Sequence, residues 1–225
     1  MSTKIRNSRK YKVNVIKIVI IGIYNVGKTT LLMRYINRDE NEENNYPTTI
    51  GVEFERKRLL YKETRYDLEI FDTAGLERFQ PATMSYVKRN DFIIFVFDNT
   101  EKSLEYILNN YKNELNSSKQ ETVFVLTKFD LLNSREEKDS LIKNIQKKLK
   151  DNLHEIPKLY VIDNTPKSIN IINTIFMNIT KNHHKSIELN NKSKENEEIE
   201  TIKLSIENFK KNGISSVEEE KCCLF

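Results

Sequence analysis

The 225-residue sequence predicts an α/β fold: a mostly parallel, six-stranded sheet sandwiched between helices in three layers. Three observations lead there. Apolar, β-branched or aromatic runs such as Val13 to Ile21 and Phe92 to Phe97 read as strands buried on both faces. They alternate with segments whose apolar residues recur every three or four positions, the period of a helix packed by one face. A glycine-bearing loop, Gly22 to Thr29, joins the first strand to the first helix, at the edge where such sheets bind ligands.

The elements follow in order. After the first strand, Lys28 to Ile36 reads as a helix with Leu31, Leu32, Tyr35 and Ile36 inward. Asn37 to Thr49 is polar and ends in Tyr46-Pro47, a long loop. Val52 to Tyr61 and Arg65 to Phe71 read as paired strands, the first alternating and exposed. Phe92 to Phe97 is the fourth strand, followed by a helix carrying Leu104, Ile107, Leu108, Tyr111 and Leu115. Thr122 to Leu126 is a strand, Ser134 to Lys150 a charged helix, Leu159 to Ile162 a short strand, and Ile171 to Ile179 the core of a last helix. Three regions result: an N-terminal basic arm (1–12), a globular domain (13–180) and a tail (181–225). The tail is rich in Asn, Lys, Glu and Ser and predicts disorder. Within it Ile199, Ile202, Ile206 and Phe209 are spaced as one helix face, either a short partner-binding or membrane-lying helix or a chance spacing.

A net charge of only +4 argues against a nucleic-acid surface. The arm (Lys4, Arg6, Arg9, Lys10, Lys12) is either a solvated face or an electrostatic membrane contact. No run reaches the ~20 apolar residues of a membrane span, Met1-Ser2-Thr3 starts no secretory signal, and Ser2 excludes N-myristoylation. These features predict a cytosolic, monomeric protein. Its two cysteines, Cys222 and Cys223, adjoin at the end of the chain, where they make no useful staple.

The chemistry concentrates in a few short motifs. Four of the five glycines (Gly22, Gly27, Gly51 and Gly75) stand where bare backbone beside a phosphate is useful. Gly22-Ile23-Tyr24-Asn25-Val26-Gly27-Lys28-Thr29, between a strand and a helix, is a P-loop: its N–H groups and the following helix N-terminus, through Thr30, surround phosphates. Lys28 is expected to reach the β- and γ-phosphates and Thr29 to ligate Mg²⁺. Asp72-Thr73-Ala74-Gly75 follows one strand, and Thr127-Lys128-Phe129-Asp130 another. A carboxylate placed like Asp130 accepts two hydrogen bonds from guanine N1 and N2, a donor pair that adenine lacks.

On these motifs the chain resembles the Ras-like small GTPases, most closely the Rab family of membrane-traffic switches, over about residues 13–180. The resemblance is carried by the P-loop, YPTTIGVEF (46–54), LEIFDTAGLERF (68–79), TKFD (127–130) and, weakly, Thr165-Pro166-Lys167. It implies binding of GTP and GDP with Mg²⁺. Thr49 would ligate the metal in the GTP state, Asp72 would hold it through water, and the Gly75 N–H would meet the γ-phosphate. Thr127, Lys128, Asp130 and residues 165–167 would hold guanine. It further implies an effector surface at Ile50, Phe54, Phe71 and Tyr86, although the aromatic three are equally readable as packing residues. Where relatives carry a water-orienting glutamine this chain has Leu76, and where they carry a small residue it has Tyr24. Leucine neither donates nor accepts, and tyrosine crowds the γ-phosphate and an activator's arginine, so slow hydrolysis is expected, unless another group positions the water. The loop before Thr49 is about two residues longer than usual and has no aromatic between Tyr35 and Tyr46, which predicts faster exchange.

Cys222-Cys223-Leu224-Phe225 fits a prenylation signal on one or both thiols, with geranylgeranyl favoured by the terminal Phe. The resemblance then implies residence on the cytoplasmic face of an intracellular membrane, cycling with the cytosol. Expected partners are effectors, an exchange factor, an activating protein, prenylation and escort machinery and a GDI-type extractor. Two rivals remain: a GTP-locked scaffold without turnover, and another Ras- or Rho-like signalling GTPase. A nucleotide kinase would need clustered arginines for a second substrate. Only Arg34, Arg38 and Arg135 lie outside residues 1–12 and 56–89.

Overall fold

Branched and aromatic side chains fix the centre of the sheet. β1 (Val13–Ile21) runs parallel to β3 (Thr64–Thr73) on one side and to β4 (Phe92–Phe97) on the other, leaving Ile16, Ile18, Val19 and Ile20 fully buried. β5 (Glu121–Leu126) and β6 (Lys158–Val161) extend the parallel side, and β2 (Val52–Tyr61) closes the other edge antiparallel to β3. The order is β2-β3-β1-β4-β5-β6; its six strands and mostly parallel pairing are those expected from the sequence. The computed structural model describes residues 13–37, 46–75, 80–117, 120–163 and 168–211. The basic arm and the cysteine pair Cys222-Cys223 lie outside them.

Each face of the sheet is sealed by helices. α1 (Lys28–Asn37) and the first turns of α5 (Ser168–Lys211) cover one face, where Leu32, Tyr35, Ile172, Ile175 and Phe176 pack on Ile18, Ile70 and Val125. The rings of Tyr35 and Phe176 stack at 3.7 Å with 9° between planes, joining the two helices. α3 (Glu101–Ser117) and α4 (Arg135–Asn152) cover the other face, where Ile107, Tyr111, Ile145 and Leu149 meet Phe95, Phe97 and Phe124. α4 opens with a capping box: Ser134 Oγ accepts from Glu137 N–H, and Glu137 accepts from Ser134 N–H.

Two helical features exceed the sequence reading. α2 (Gln80–Arg89) has no apolar stripe that marks it in advance. Its last carbonyls are capped from elsewhere: Asn90 Nδ2 donates to Tyr86 O, and Gln120 Nε2 donates to Val87 O and Asn90 O. α5 continues as helix to Lys211, well past Ile179. Residues 168–211 hold neither Gly nor Pro, so nothing in the chain breaks the helical ladder there.

Chain contacts divide at Lys181, and residues 182–225 form a second unit. Within it the described backbone is helical, Ser186 and Ser193 bond back to Asn182 O and Leu189 O, and His184 faces Glu188 at 3.2 Å. No apolar side chain described there is buried, and Leu189 is exposed, in keeping with its polar composition. Among the described residues no helix is long and apolar enough to cross a membrane.

Because Phe176 is fully buried against Tyr35, Phe176→Ala is expected to cost about 3–5 kcal/mol of unfolding free energy. Urea denaturation with an unchanged m-value checks this; a loss below about 1 kcal/mol would mean that α5 adds little to the core.

Candidate functional site

The carboxyl ends of β1, β3, β4, β5 and β6 all deliver polar loops to one edge of the sheet, as a parallel arrangement dictates. The loop after β1 is drawn tight. A Cβ on Gly22 would stand 2.1 Å from Val96 O, and one on Gly75 would stand 2.3 Å from Tyr24 N, so two loops and a strand touch backbone to backbone. Gly27 adopts φ +92°, turning the loop into α1, whose first bond is Leu31 N–H to Gly27 O at 2.9 Å. Val26 is fully buried and anchors the loop from beneath.

Lys28 is buried, and its Nζ donates to Ile23 O at 2.9 Å, across the mouth of the loop. Burial pulls its pKa from 10.5 down to about 8, against the opposing pull of Asp72. Such an ammonium gains from an incoming anion.

Beside it three oxygen-bearing side chains from three segments converge. Thr29 Oγ1 lies 2.6 Å from Asp72 Oδ2, Thr49 Oγ1 lies 3.2 Å from the same atom, and the two hydroxyls are 2.8 Å apart. Asp72 is fully buried, and its Oδ1 has no hydrogen-bond partner. Burial raises its pKa, against the Thr29 and Thr49 hydrogen bonds and the charge of Lys28. An orphaned carboxylate oxygen beside two hydroxyls is a hard oxygen donor set, and it fits Mg²⁺, which takes one or two carboxylates and completes its shell with phosphate and water. Among the described residues no cluster of three His, Cys, Asp or Glu offers a softer site.

Two adjoining cavities share Asn25, Gly27 and Thr30. The smaller, about 110 Å³, is walled by Lys28, Thr29, Thr49 and Gly75, with Tyr24 and Tyr46 among its lining residues. Tyr24 is half exposed, its hydroxyl 3.5 Å from Thr48 Oγ1. The larger, about 260 Å³, is bounded by Thr127, Lys128 and Asp130 and also by Arg34, Ile162 and Asp163. Thr127 serves as a tie: its hydroxyl donates to Val26 O at 2.7 Å and reaches Phe97 O at 3.1 Å, fastening the β5 loop to the loop after β1. Lys128 stands in the left-handed region (φ +54°), with Nζ 3.2 Å from Asp98 Oδ2. Burial pushes the Asp98 pKa up, but hydrogen bonds from Thr100, Lys128 and Ser103 outweigh it and hold the carboxyl below its ordinary value.

The structure thus brings together the predicted Gly22, Asn25, Val26, Gly27, Lys28, Thr29, Thr30, Thr49, Asp72, Gly75, Thr127, Lys128 and Asp130. Leu76, Thr165, Pro166 and Lys167 lie outside the described residues. Phe54, Phe71 and Tyr86 form a contiguous row with ring centroids 5.3 and 5.2 Å apart, and Ile50 is largely exposed near its end of β2. Sequence reasoning missed Asp98, Arg34, Ile162 and Asp163. Asp98 carried a signal, a carboxylate directly after an all-apolar strand of a parallel sheet; Arg34 carried none.

Comparison with known proteins decides the family: the Ras family model matches residues 17–185. The chain belongs to the Ras family. Several curated relatives are Rab proteins. It is similar to Ras-related protein Rab7 of Prunus armeniaca, 39% identical over 100 residues, 44% of this chain and 47% of that protein. It is also similar to Rab-1 of Theileria annulata, 36% identical over 123 residues (53% and 55%), and to Rab-25 of Bos taurus, 34% over 125 residues (54% and 58%). The chain spans about half the length of the curated relatives it matches. These identities mark a divergent member of the Ras family, whose proteins bind GTP or GDP with Mg²⁺.

Asp72→Asn keeps shape and removes charge, so Mg²⁺ affinity is expected to fall about 10- to 100-fold. The measurement is the Mg²⁺ concentration that halves the GDP release rate; an unmoved midpoint would remove Asp72 from the metal site.

Proposed function

We propose that this protein is a Rab-like switch that binds GTP and GDP, recruits effectors to membranes when GTP-bound, and hydrolyses GTP slowly. The observation that carries the reading is the convergence of the Thr29 and Thr49 hydroxyls on buried Asp72 beside buried Lys28. Those groups suit the phosphate end of a nucleotide. At the other end Asp130 would accept from guanine N1 and N2, which favours guanine over adenine. Mg²⁺, held by Thr29 and Thr49 and through water by Asp72, would offset phosphate charge during transfer to water. Thr49 belongs to the loop before β2, so its hold on the metal would order that loop in the GTP state and release it after hydrolysis. The Phe54–Phe71–Tyr86 row and exposed Ile50 adjoin that loop in sequence or in space, which supports their reading as the effector surface.

Slow turnover rests on two residues. Leu76 brings no donor or acceptor to the position that orients the attacking water. Tyr24 sits half exposed among the residues lining the phosphate cavity, where an activator's arginine would enter. Leu76→Gln is expected to raise single-turnover hydrolysis about 100-fold, and Tyr24→Gly to restore response to an activating protein. A wild-type rate equal to that of glutamine-bearing relatives would defeat the slow-switch reading. A rate indistinguishable from that of GTP in buffer would favour the rival, a GTP-locked scaffold.

Membrane residence would come from geranylgeranyl groups on Cys222 and Cys223. Glu218-Glu219-Glu220 precedes them, so no basic patch adds a second anchor, and two lipids are needed for stable attachment. Mass spectrometry of the C-terminal peptide from membrane-bound protein is expected to find both thiols modified; an unmodified peptide would rule out lipid anchoring. An exchange factor, an activating protein, escort machinery and a GDI-type extractor complete the expected cycle.

A further inference from the structure

We propose that the guanidinium of Arg34 lies against the purine of the bound nucleotide and sets how long it stays. The inference rests on the guanine-nucleotide reading above. Arg34 sits in the last turn of α1, six residues beyond Lys28, which is about 9 Å further along the helix. That offset carries it from the phosphate cavity to the larger one, whose wall it shares with Lys128 and Asp130. A basic residue near a helix C-terminus commonly serves that helix's own carbonyls. Arg34 reaches instead to the end of β6, donating from Nη1 to Asp163 O at 3.3 Å. The bond holds the planar group at the cavity wall before any ligand arrives, so little side-chain freedom remains to be lost on binding.

The surroundings suit a flat aromatic ligand. Leu31, Ile162 and Ile172 line the same cavity with apolar carbon, which lowers the local dielectric and strengthens a cation facing a ring. Asp130 reads the edge of the base by its hydrogen-bonding pattern, which leaves the faces to be covered. A guanidinium supplies such a cover through its plane and delocalised charge, whereas an ammonium is a compact, strongly hydrated point. Arg34 is therefore an affinity-determining residue that acts on the base, separate from the phosphate and metal groups.

The test uses full-length protein loaded with tritiated GDP and Mg²⁺, a label that leaves base and ribose unaltered. Arg34→Ala is expected to release GDP about tenfold faster, equivalent to about 1.4 kcal/mol. Arg34→Lys keeps the charge without the plane and should also release quickly. The absorption band of bound 6-thioguanosine diphosphate gives a readout that a purely structural role would not move; it is expected to shift between wild type and both variants. Release within twofold of wild type for Arg34→Ala, full rescue by Arg34→Lys, or an unmoved band would each overturn the inference while leaving the guanine-nucleotide reading intact. Failure of the wild-type protein itself to retain GDP would overturn both.

Discussion

Asp72 is the point on which the rest of the structure depends. An ionised carboxylate taken out of water is costly unless paired and hydrogen-bonded. Here the compensation comes from three groups at two places in the chain: the Thr29 hydroxyl and the positive charge of Lys28 at the start of α1, and the Thr49 hydroxyl before β2. It is incomplete, because Oδ1 has no partner. A site that leaves one buried oxygen unsatisfied is poised to take a cation. Segments that converge on that carboxylate are the ones whose order a cation and its phosphate would control.

The sheet makes this meeting possible. Ile20 on β1 pairs in register with Asp72 on β3, which sets the carboxylate level with the start of the glycine loop. Further along, Phe97 and Leu126 end β4 and β5 together, so Asp98 and Lys128 emerge side by side and pair at 3.2 Å. Thr127 then ties that corner to Val26 O. The groups that would meet phosphate, metal and base thus share one edge of the sheet, with Tyr24 and Thr48 exposed among the residues lining the smaller cavity.

Legibility followed the range of the forces involved. β1, β4 and the glycine loop were readable because their signals are local: an unbroken apolar run, a spacing of glycines, a lysine before a threonine. The mostly parallel pairing followed from alternation of strands and helices, whereas the strand order was not read from it. α2 was not readable, since its end is capped by Gln120 from the far side of α3 and its own pattern is weak. Nor was Arg34, whose place in the site depends on where β6 ends. The helix to Lys211 escaped for a different reason: a composition rich in Asn, Lys, Glu and Ser reads as disorder, and the one apolar spacing in it, Ile199 to Phe209, was also readable as chance. The aromatic row Phe54, Phe71 and Tyr86 was anticipated from motif resemblance, and its rings do touch, yet touching alone serves packing as well as it serves a partner.

One departure of this chain from the family pattern, Tyr24, falls where the structure leaves room for it. Gly22 and Gly75 have no room for a single carbon, because the atoms they face are backbone, and any side chain there would push the loops apart. Tyr24 lies two residues from Gly22 with its side chain half in solvent, bonded only loosely to Thr48. The Tyr24 side chain takes no part in the core clusters or in the Thr29–Thr49–Asp72 group, and neither does that of exposed Ile50. The backbone that the glycines hold together is therefore tied to the fold, whereas exposed side chains such as Tyr24 and Ile50 stand apart from it. If, as proposed, turnover and partner choice rest on such side chains, they can change while the fold and the phosphate-facing backbone stay, since the two are written on different layers of the same edge.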